Sequence, residues 1–283
     1  MNTQWQLIDT PQSAKHAALT IQNAPLLAID TEYDSFRYFR EKLCLIQIFT
    51  SETTLIIDPT AGLDLSFLAG PFKNNLVVKI MHAADNDIRL LKRDYDFEFE
   101  NIFDTHRTAM LLGYRQLSLE TIIREFLNIE LNKSKKVQRS RWDIRPLTDE
   151  QLDYAVRDVT LLPALYEEQL AALREQGLES AAADAFAKIA ACNWQERNFD
   201  GRGYTRIKGF CEMDTGRREL LKKLYLWRFE KARETDCAIF MLLPDEKLAE
   251  LAQNSADIRK ILTPEKYRRY GKDLEQIIGE HSA

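Results

Sequence analysis

Short runs of apolar, often β-branched residues alternate with amphipathic stretches through the first half of the chain, an alternation that predicts an α/β layer structure. The strand candidates are LLAIDTE at 26–32, KLCLIQIFT at 42–50, TTLIIDP at 53–59 and LVVKIMHA at 76–83. The first three lie close together and read as a meander of hairpins. From Ala84 the period changes: ADNDIRLLKRDY puts Ile88, Leu91 and Tyr95 on one stripe with charges opposite, as an amphipathic helix requires.

Helical patterns dominate thereafter. THRTAMLLGY is followed by SLETIIREFL, which Ser118 opens. In the long pattern TDEQLDYAVRDVTLLPALYEEQLAALREQG, Thr148 is placed as an N-cap with Gln151 at the capping-box position. Pro163 lies inside this pattern and, lacking a backbone N–H, is expected to kink the helix or divide it. The polar, aperiodic run QERNFDGRG at 195–203 is the best linker. Beyond it come DTGRRELLKKLYLWRFEKARETD, with Asp214 or Thr215 as N-cap, then LPDEKLAELAQN and TPEKYRRYGKDLEQIIGE. No internal repeat is present.

At 283 residues the chain has material for two domains, and 45% hydrophobic with 29% charged residues is the composition of a soluble globular protein. The N-terminus has no basic segment followed by an apolar stretch, and no run approaches the roughly 18 apolar residues of a membrane span. A cytoplasmic protein with no membrane association is expected. Cys44, Cys192, Cys211 and Cys237 form no CxxC pair and are expected to be reduced and mostly buried. A net charge of −5 argues against nucleic acid on average, but Arg202–Arg233 carries ten Lys or Arg against four acids, which leaves −11 for the rest.

Part of that acidity has a pattern. On a strand alternate residues share a face, so Asp30 and Glu32 point one way and Thr31 the other. Two acids on one face of a core-quality strand are costly unless a cation neutralises them, although a strand end emerging into solvent would also accommodate them. Tyr154 and Asp158 stand four apart on a helix, stacked about 5–6 Å apart at Cβ. That spacing suits a phenol handling water beside a metal-holding carboxylate; a tyrosine merely covering the helix surface satisfies it equally. Asp87 stands at a helix start, where capping and the macrodipole favour an acid for structural reasons, and Asp85 is the better cap candidate. Gathered in one pocket, such oxygen ligands could hold two hard cations against a phosphodiester.

The order DxE on a strand, Asp after a later strand and YxxxD on a late helix resembles the DEDDy branch of the 3′-to-5′ exonucleases, and within it the ribonuclease D family. The text LLAIDTEYDSFRYFREKLCLIQIF, MHAADNDIRLLKRDY, FDTHRTAMLLGY and KKVQRSRWDIRPLTDEQLDYAVRDVTLLPALY carries the likeness. The sister branch has His five residues before the last Asp, where this chain has Asp153. The resemblance implies a ribonuclease H-like α/β exonuclease domain, a mixed sheet flanked by helices, over 1–198. It implies that Asp30, Glu32, Asp87 and Asp158 hold two divalent ions, Mg²⁺ or Mn²⁺, while Tyr154 orients the attacking water. RNA with a free 3′ end, such as a tRNA precursor, would be trimmed to 5′-mononucleotides, with no obligate protein partner evident. A Werner-type DNA exonuclease and a catalytically silent nucleic-acid-binding module are the alternatives.

The run KSKKVQRSRWDIR, Lys133 to Arg145, carries six cations and one acid. It is similar to the family loop preceding an RPL tripeptide, which implies substrate contacts from Lys135, Gln138, Trp142 and Arg145. A solvated loop anchored by Trp142 is the structural alternative. Family members usually carry an acid where this chain has Arg141. Residues 204–283 resemble a helical HRDC (helicase-and-ribonuclease-D C-terminal) domain, with Leu220, Leu224 and Trp227 as its core stripe and Arg217, Arg218, Lys222 and Lys223 on a basic face. His82 is read as structural, His16, His106 and His281 have no zinc spacing, and Asp104 is read as a helix cap.

Overall fold

The computed structural model describes residues 4–131, 134–196, 198–253 and 257–282. Lys133 and Arg197 lie outside them. The chain divides into two compact units: Met1–Asp34 with Leu43–Gln195, and Ser35–Lys42 with Glu196–Ala283. Residues 35–42, read from sequence as part of the first domain, therefore pack with the second unit.

The first unit contains β1 (Trp5–Ile8), α1 (Pro11–Gln22), β2 (Leu26–Asp34), β3 (Lys42–Phe49) and β4 (Thr54–Ile57). Next come α2 (Ala69–Lys73), β5 (Val78–Met81), α3 (Asp85–Tyr95), β6 (Ile102–Asp104) and α4 (Thr105–Leu111). It continues with α5 (Leu119–Leu127), α6 (Lys135–Gln138), α7 (Asp149–Thr160), α8 (Leu162–Glu175) and α9 (Glu179–Ala191). The strands form a six-stranded mixed sheet in the order β1-β4-β3-β2-β5-β6. Neighbours β3 and β4 run antiparallel, whereas β2, β5 and β6 run parallel and β1 lies parallel to β4.

The meander β2-β3-β4 is as the sequence predicts. Strands β1 and β6, four and three residues long, lie outside the strand candidates read from the sequence; β1 is mostly solvent-facing, unlike the equally short β4 and β5. Helices cover both faces. Ala14, Ala17 and Ile21 of α1 and Ile88 and Leu91 of α3 pack on one face with Leu27 and Ile29 of β2. Ala109, Ile122, Ile123, Val159, Leu162 and Leu165 pack on the other with Ala28, Ile80 and Phe103. The expected caps form at Ser118 and Thr148, the latter a complete capping box, and the helix carrying Pro163 breaks at Leu161.

The second unit holds α10 (Thr215–Glu234), α11 (Ile239–Leu242), α12 (Asp245–Gln253), α13 (Ile258–Ile261) and α14 (Pro264–Ser282). Its core includes Leu220, Leu224, Leu248, Leu251 and Leu274, with Trp227 half-buried beside them, and Asp214 caps α10. Ala238 donates its backbone N–H to Arg37 at 3.0 Å, and the Phe36 and Phe240 rings pack at 4.8 Å. All four cysteines are free thiols, but only Cys44 is buried, which corrects the expectation that most would be. No helix among the described residues is long and apolar enough to cross a membrane.

Candidate active site

Strand β2 lies between β3 and β5, and its alternation sets the site. Leu27 and Ile29 enter the core on one face, so Asp30 and Glu32 take the other with Ala28, the face on which α7 and α8 pack. On α7 the four-residue spacing brings Asp158 to the same place. Carboxylate oxygens of Asp30, Glu32 and Asp158 all lie within 4.8 Å of one another, with Asp158 buried and the other two half-buried. Three anions so close are destabilising in isolation, and a hard divalent cation removes that repulsion. The donor set is all oxygen, so these residues fit such an ion.

Asp87 lines the same cavity, of about 480 Å³, but does not join the three-acid cluster. Its carboxylate instead accepts a short hydrogen bond from Thr31 Oγ1. Thr31 faces the layer holding α3, as alternation predicts, and so links the acidic strand to the helix that carries the fourth acid. Burial pushes the Asp87 carboxyl up to about 6, against the opposing effect of that bond. Asp85 points elsewhere: its carboxylate pairs with Arg107 at 3.2 Å, and Ala84 rather than Asp85 occupies the N-cap position of α3. Asp104 caps α4 through the Arg107 N–H at 2.6 Å, and its other oxygen takes the Ala84 N–H at 2.7 Å. One buried acid thereby orients the starts of both α3 and α4. His82 contacts Thr105 Oγ1 at 2.8 Å and the Leu117 carbonyl at 3.0 Å, consistent with a structural role at the cavity wall.

Tyr154 stands between the acids and a small core under the basic loop, where its ring lies 5.9 Å from that of Trp142. Burial first, then the charges of Asp158, Glu32 and Asp30, drive the phenol far above its ordinary range, and its hydroxyl bonds Asp158. It is a neutral donor at any physiological pH.

A family model described as 3′-5′ exonuclease matches residues 5–173, the span that contains every one of these groups. The chain belongs to the 3′-5′ exonuclease family. A second model, the HRDC domain, matches residues 217–278. The chain is 29% identical to ribonuclease D of Shewanella sp. (strain ANA-3), over 97% of this chain and 72% of that protein. It is 28% identical to the exosome complex component 10 homolog of Drosophila melanogaster over 89% of this chain, spanning only 29% of that longer protein. In fold it matches the catalytic core of RRP6 from Trypanosoma brucei with a TM-score of 0.88 at 22% identity, covering 99% of this chain and 80% of that one.

The basic loop of the chain divides into two groups. Lys135 and Gln138 are exposed and line the acid cavity. Trp142 does not present a ring for stacking: it is 2% exposed and donates its indole N–H to the Gln138 carbonyl at 3.1 Å. Arg145 is also committed inward. Its Nε and one terminal nitrogen hold Asp58, and the remaining N–H groups reach the carbonyls of Cys44 at 2.8 Å, Trp142 at 2.7 Å and Ile144 at 3.0 Å. A guanidinium has five N–H donors, and all five are occupied. The expectation of substrate contacts from Trp142 and Arg145 is therefore corrected: both are anchors, and the apolar ring and planar fork that suit nucleic acid suit a loop clip equally. Arg141 pairs with Asp143 through two bonds of 2.7 Å. Thr31 is the site residue that sequence reasoning passed over, although its place between two paired acids was the available signal.

Proposed function

We propose that this chain is a metal-dependent 3′-to-5′ exoribonuclease of the ribonuclease D type, trimming RNA 3′ ends such as those of tRNA precursors and releasing 5′-mononucleotides. The convergence of Asp30, Glu32 and Asp158 beside the Tyr154 hydroxyl carries the reading, and membership of the exonuclease family supports it. We assign the nuclease to residues 1–198 and the HRDC domain to 204–283.

Asp30, Glu32, Asp87 and Asp158 would hold two divalent ions, Mg²⁺ or Mn²⁺. When bound, such ions supply Lewis-acid activation of water and charge stabilisation at the departing 3′ oxygen. The single O–H of Tyr154, bonded to Asp158 here, would turn to donate a hydrogen bond to the attacking water once ions hold Asp158, and the packing of its ring against Trp142 limits the geometries the water can adopt. Lys135 and Gln138 hold backbone phosphate at the edge of the same cavity. Tyr154→Phe keeps the ring and removes only the hydroxyl. The variant is expected to cut the rate about a hundredfold while divalent-ion binding, followed by calorimetry, stays unchanged.

The deciding experiment compares 5′-labelled single-stranded RNA and DNA of one sequence with Mg²⁺, Mn²⁺ or EDTA. Ladders shortening from the 3′ end of RNA, and none in EDTA, are the expected result. An equal or faster ladder on DNA would assign the enzyme to the DNA exonucleases, because the chemistry at phosphorus does not itself read the 2′-hydroxyl. RNA binding with no metal-dependent turnover would make it a silent binding module.

A further inference from the structure

The turn that delivers Asp87 to the acid cavity is strained. Between the end of β5 at Met81 and the start of α3 at Asp85 the chain has three residues, His82, Ala83 and Ala84. Ala83 takes φ 57°, the left-handed region in which a Cβ crowds the following carbonyl oxygen and which glycine adopts far more readily. Its methyl group is exposed, so burial does not offset that strain. An opposing restraint comes from the next parallel strand. Met81 of β5 is in register with Asp104 of β6, and one oxygen of the fully buried Asp104 carboxylate accepts the Ala84 N–H at 2.7 Å. The other accepts the Arg107 N–H at 2.6 Å and so caps α4. His82, tied to Thr105 Oγ1 at 2.8 Å, fixes the first residue of the turn, so any relaxation falls on Ala83 and Ala84.

Capping a helix needs only one acceptor, and an asparagine supplies it as well as an aspartate does. The second oxygen of Asp104 is surplus to the cap. Its bond reaches the residue that follows the strained one, three positions before Asp87. We propose that Asp104 is a positioning residue for the fourth metal ligand: its bond to the Ala84 N–H holds Ala83 in the left-handed conformation, and that conformation aims α3 so that Asp87 reaches Thr31 and the acid cavity. Without the bond the turn relaxes toward unstrained backbone, and α3 starts in a direction that carries the Asp87 carboxylate away from the other acids. The inference rests on the exoribonuclease reading, in which Asp87 holds a divalent ion.

Asp104→Asn separates the two bonds. An amide offers one acceptor oxygen in place of two, and that oxygen stays with the cap, because backbone strain opposes the bond to the turn and nothing opposes the cap. The measurement is Mg²⁺ affinity by titration calorimetry on the metal-free proteins, with melting temperatures recorded alongside. Asp104→Asn is expected to weaken Mg²⁺ binding about tenfold, the lower end of what losing a partner behind a metal ligand costs. In an Ala83→Gly background the same substitution is expected to cost less than about threefold, because glycine holds the turn without strain and needs no tether. Equal losses in the two backgrounds, as a purely structural Asp104 would give, overturn the proposal, and so does an unchanged Mg²⁺ affinity in Asp104→Asn. Ala83→Val tests the same turn with Asp104 intact. A β-branched residue tolerates positive φ still less, so Mg²⁺ binding is expected to weaken about tenfold there too. An unchanged affinity in Ala83→Val overturns the proposal even where Asp104→Asn does not fold. Asp87→Asn is titrated in parallel: no loss there would refute Asp87 as a metal ligand and with it the reading beneath, whereas a loss there with none in Asp104→Asn would refute the positioning role alone.

Discussion

Asp158→Asn is expected to lower metal-dependent 3′-end trimming by at least about two to three orders of magnitude, the loss typical when a preorganised charge at a reacting centre is removed. The substitution is isosteric at a buried position, so the loss reports charge rather than packing. Removing one anion from three whose oxygens lie within 4.8 Å also relieves repulsion in the metal-free protein. The variant is therefore expected to melt at a higher temperature than wild type in EDTA and to lose the stabilisation that divalent ions confer. Divalent-ion titration calorimetry with thermal melts checks both. Wild-type turnover in the variant, or an unchanged response to Mg²⁺ and Mn²⁺, would remove Asp158 from the metal set.

Arg145→Ala is expected to cost about 3 kcal/mol of folding stability, the range found when one partner of a largely buried pair is removed. Asp58 is left behind as a buried carboxylate, since its side chain is 5% exposed in the intact pair. Burial by itself disfavours the charged form of Asp58, but hydrogen bonds from Arg145 and Thr60 outweigh it and hold the carboxyl below the usual carboxylate range. A depressed folded pKa contributes stability that is present above the unfolded value of roughly 4 and lost as pH falls through the folded one. Wild type should therefore show an extra acid-induced loss below about pH 4 that the variant lacks. Urea unfolding at pH 7 and pH 3 measures it; a penalty under about 1 kcal/mol, no larger than that of an exposed pair, would contradict the clip. The same variant should bind RNA more weakly, because Arg145 ties the segment carrying Lys135 and Gln138 to β3 and β4 through Cys44 and Asp58.

Much of the site is legible in the chain because two of its rules are local. Strand alternation pairs Asp30 with Glu32, and helical spacing pairs Tyr154 with Asp158, whatever the rest of the molecule does. The caps at Ser118, Thr148 and Asp214 and the break near Pro163 are similarly local, each depending on a backbone group within a few residues. Strands β1 and β6 are not legible. Neither is part of a long apolar run like those that mark the equally short β4 and β5, and it is pairing with β4 and β5 that makes them strands.

What folding alone decides is direction. The chain contains acids at 85, 87 and 104 within one short region. Only the packed structure turns Asp85 to Arg107, Asp104 to the backbone of Ala84 and Arg107, and Asp87 to Thr31 in the acid cavity. Trp142 and Arg145 make the same point with the opposite outcome, since their chemistry serves RNA or a protein carbonyl equally well and the loop spends them on its own anchoring. The sequence by itself determined the layer structure and the strand and helix that supply the acids, because those follow from periodicity along the chain, while the order of its motifs carried the family likeness. Tertiary structure decided which cations stay available for a substrate, because a hydrogen-bond donor serves whichever acceptor the fold brings to it first.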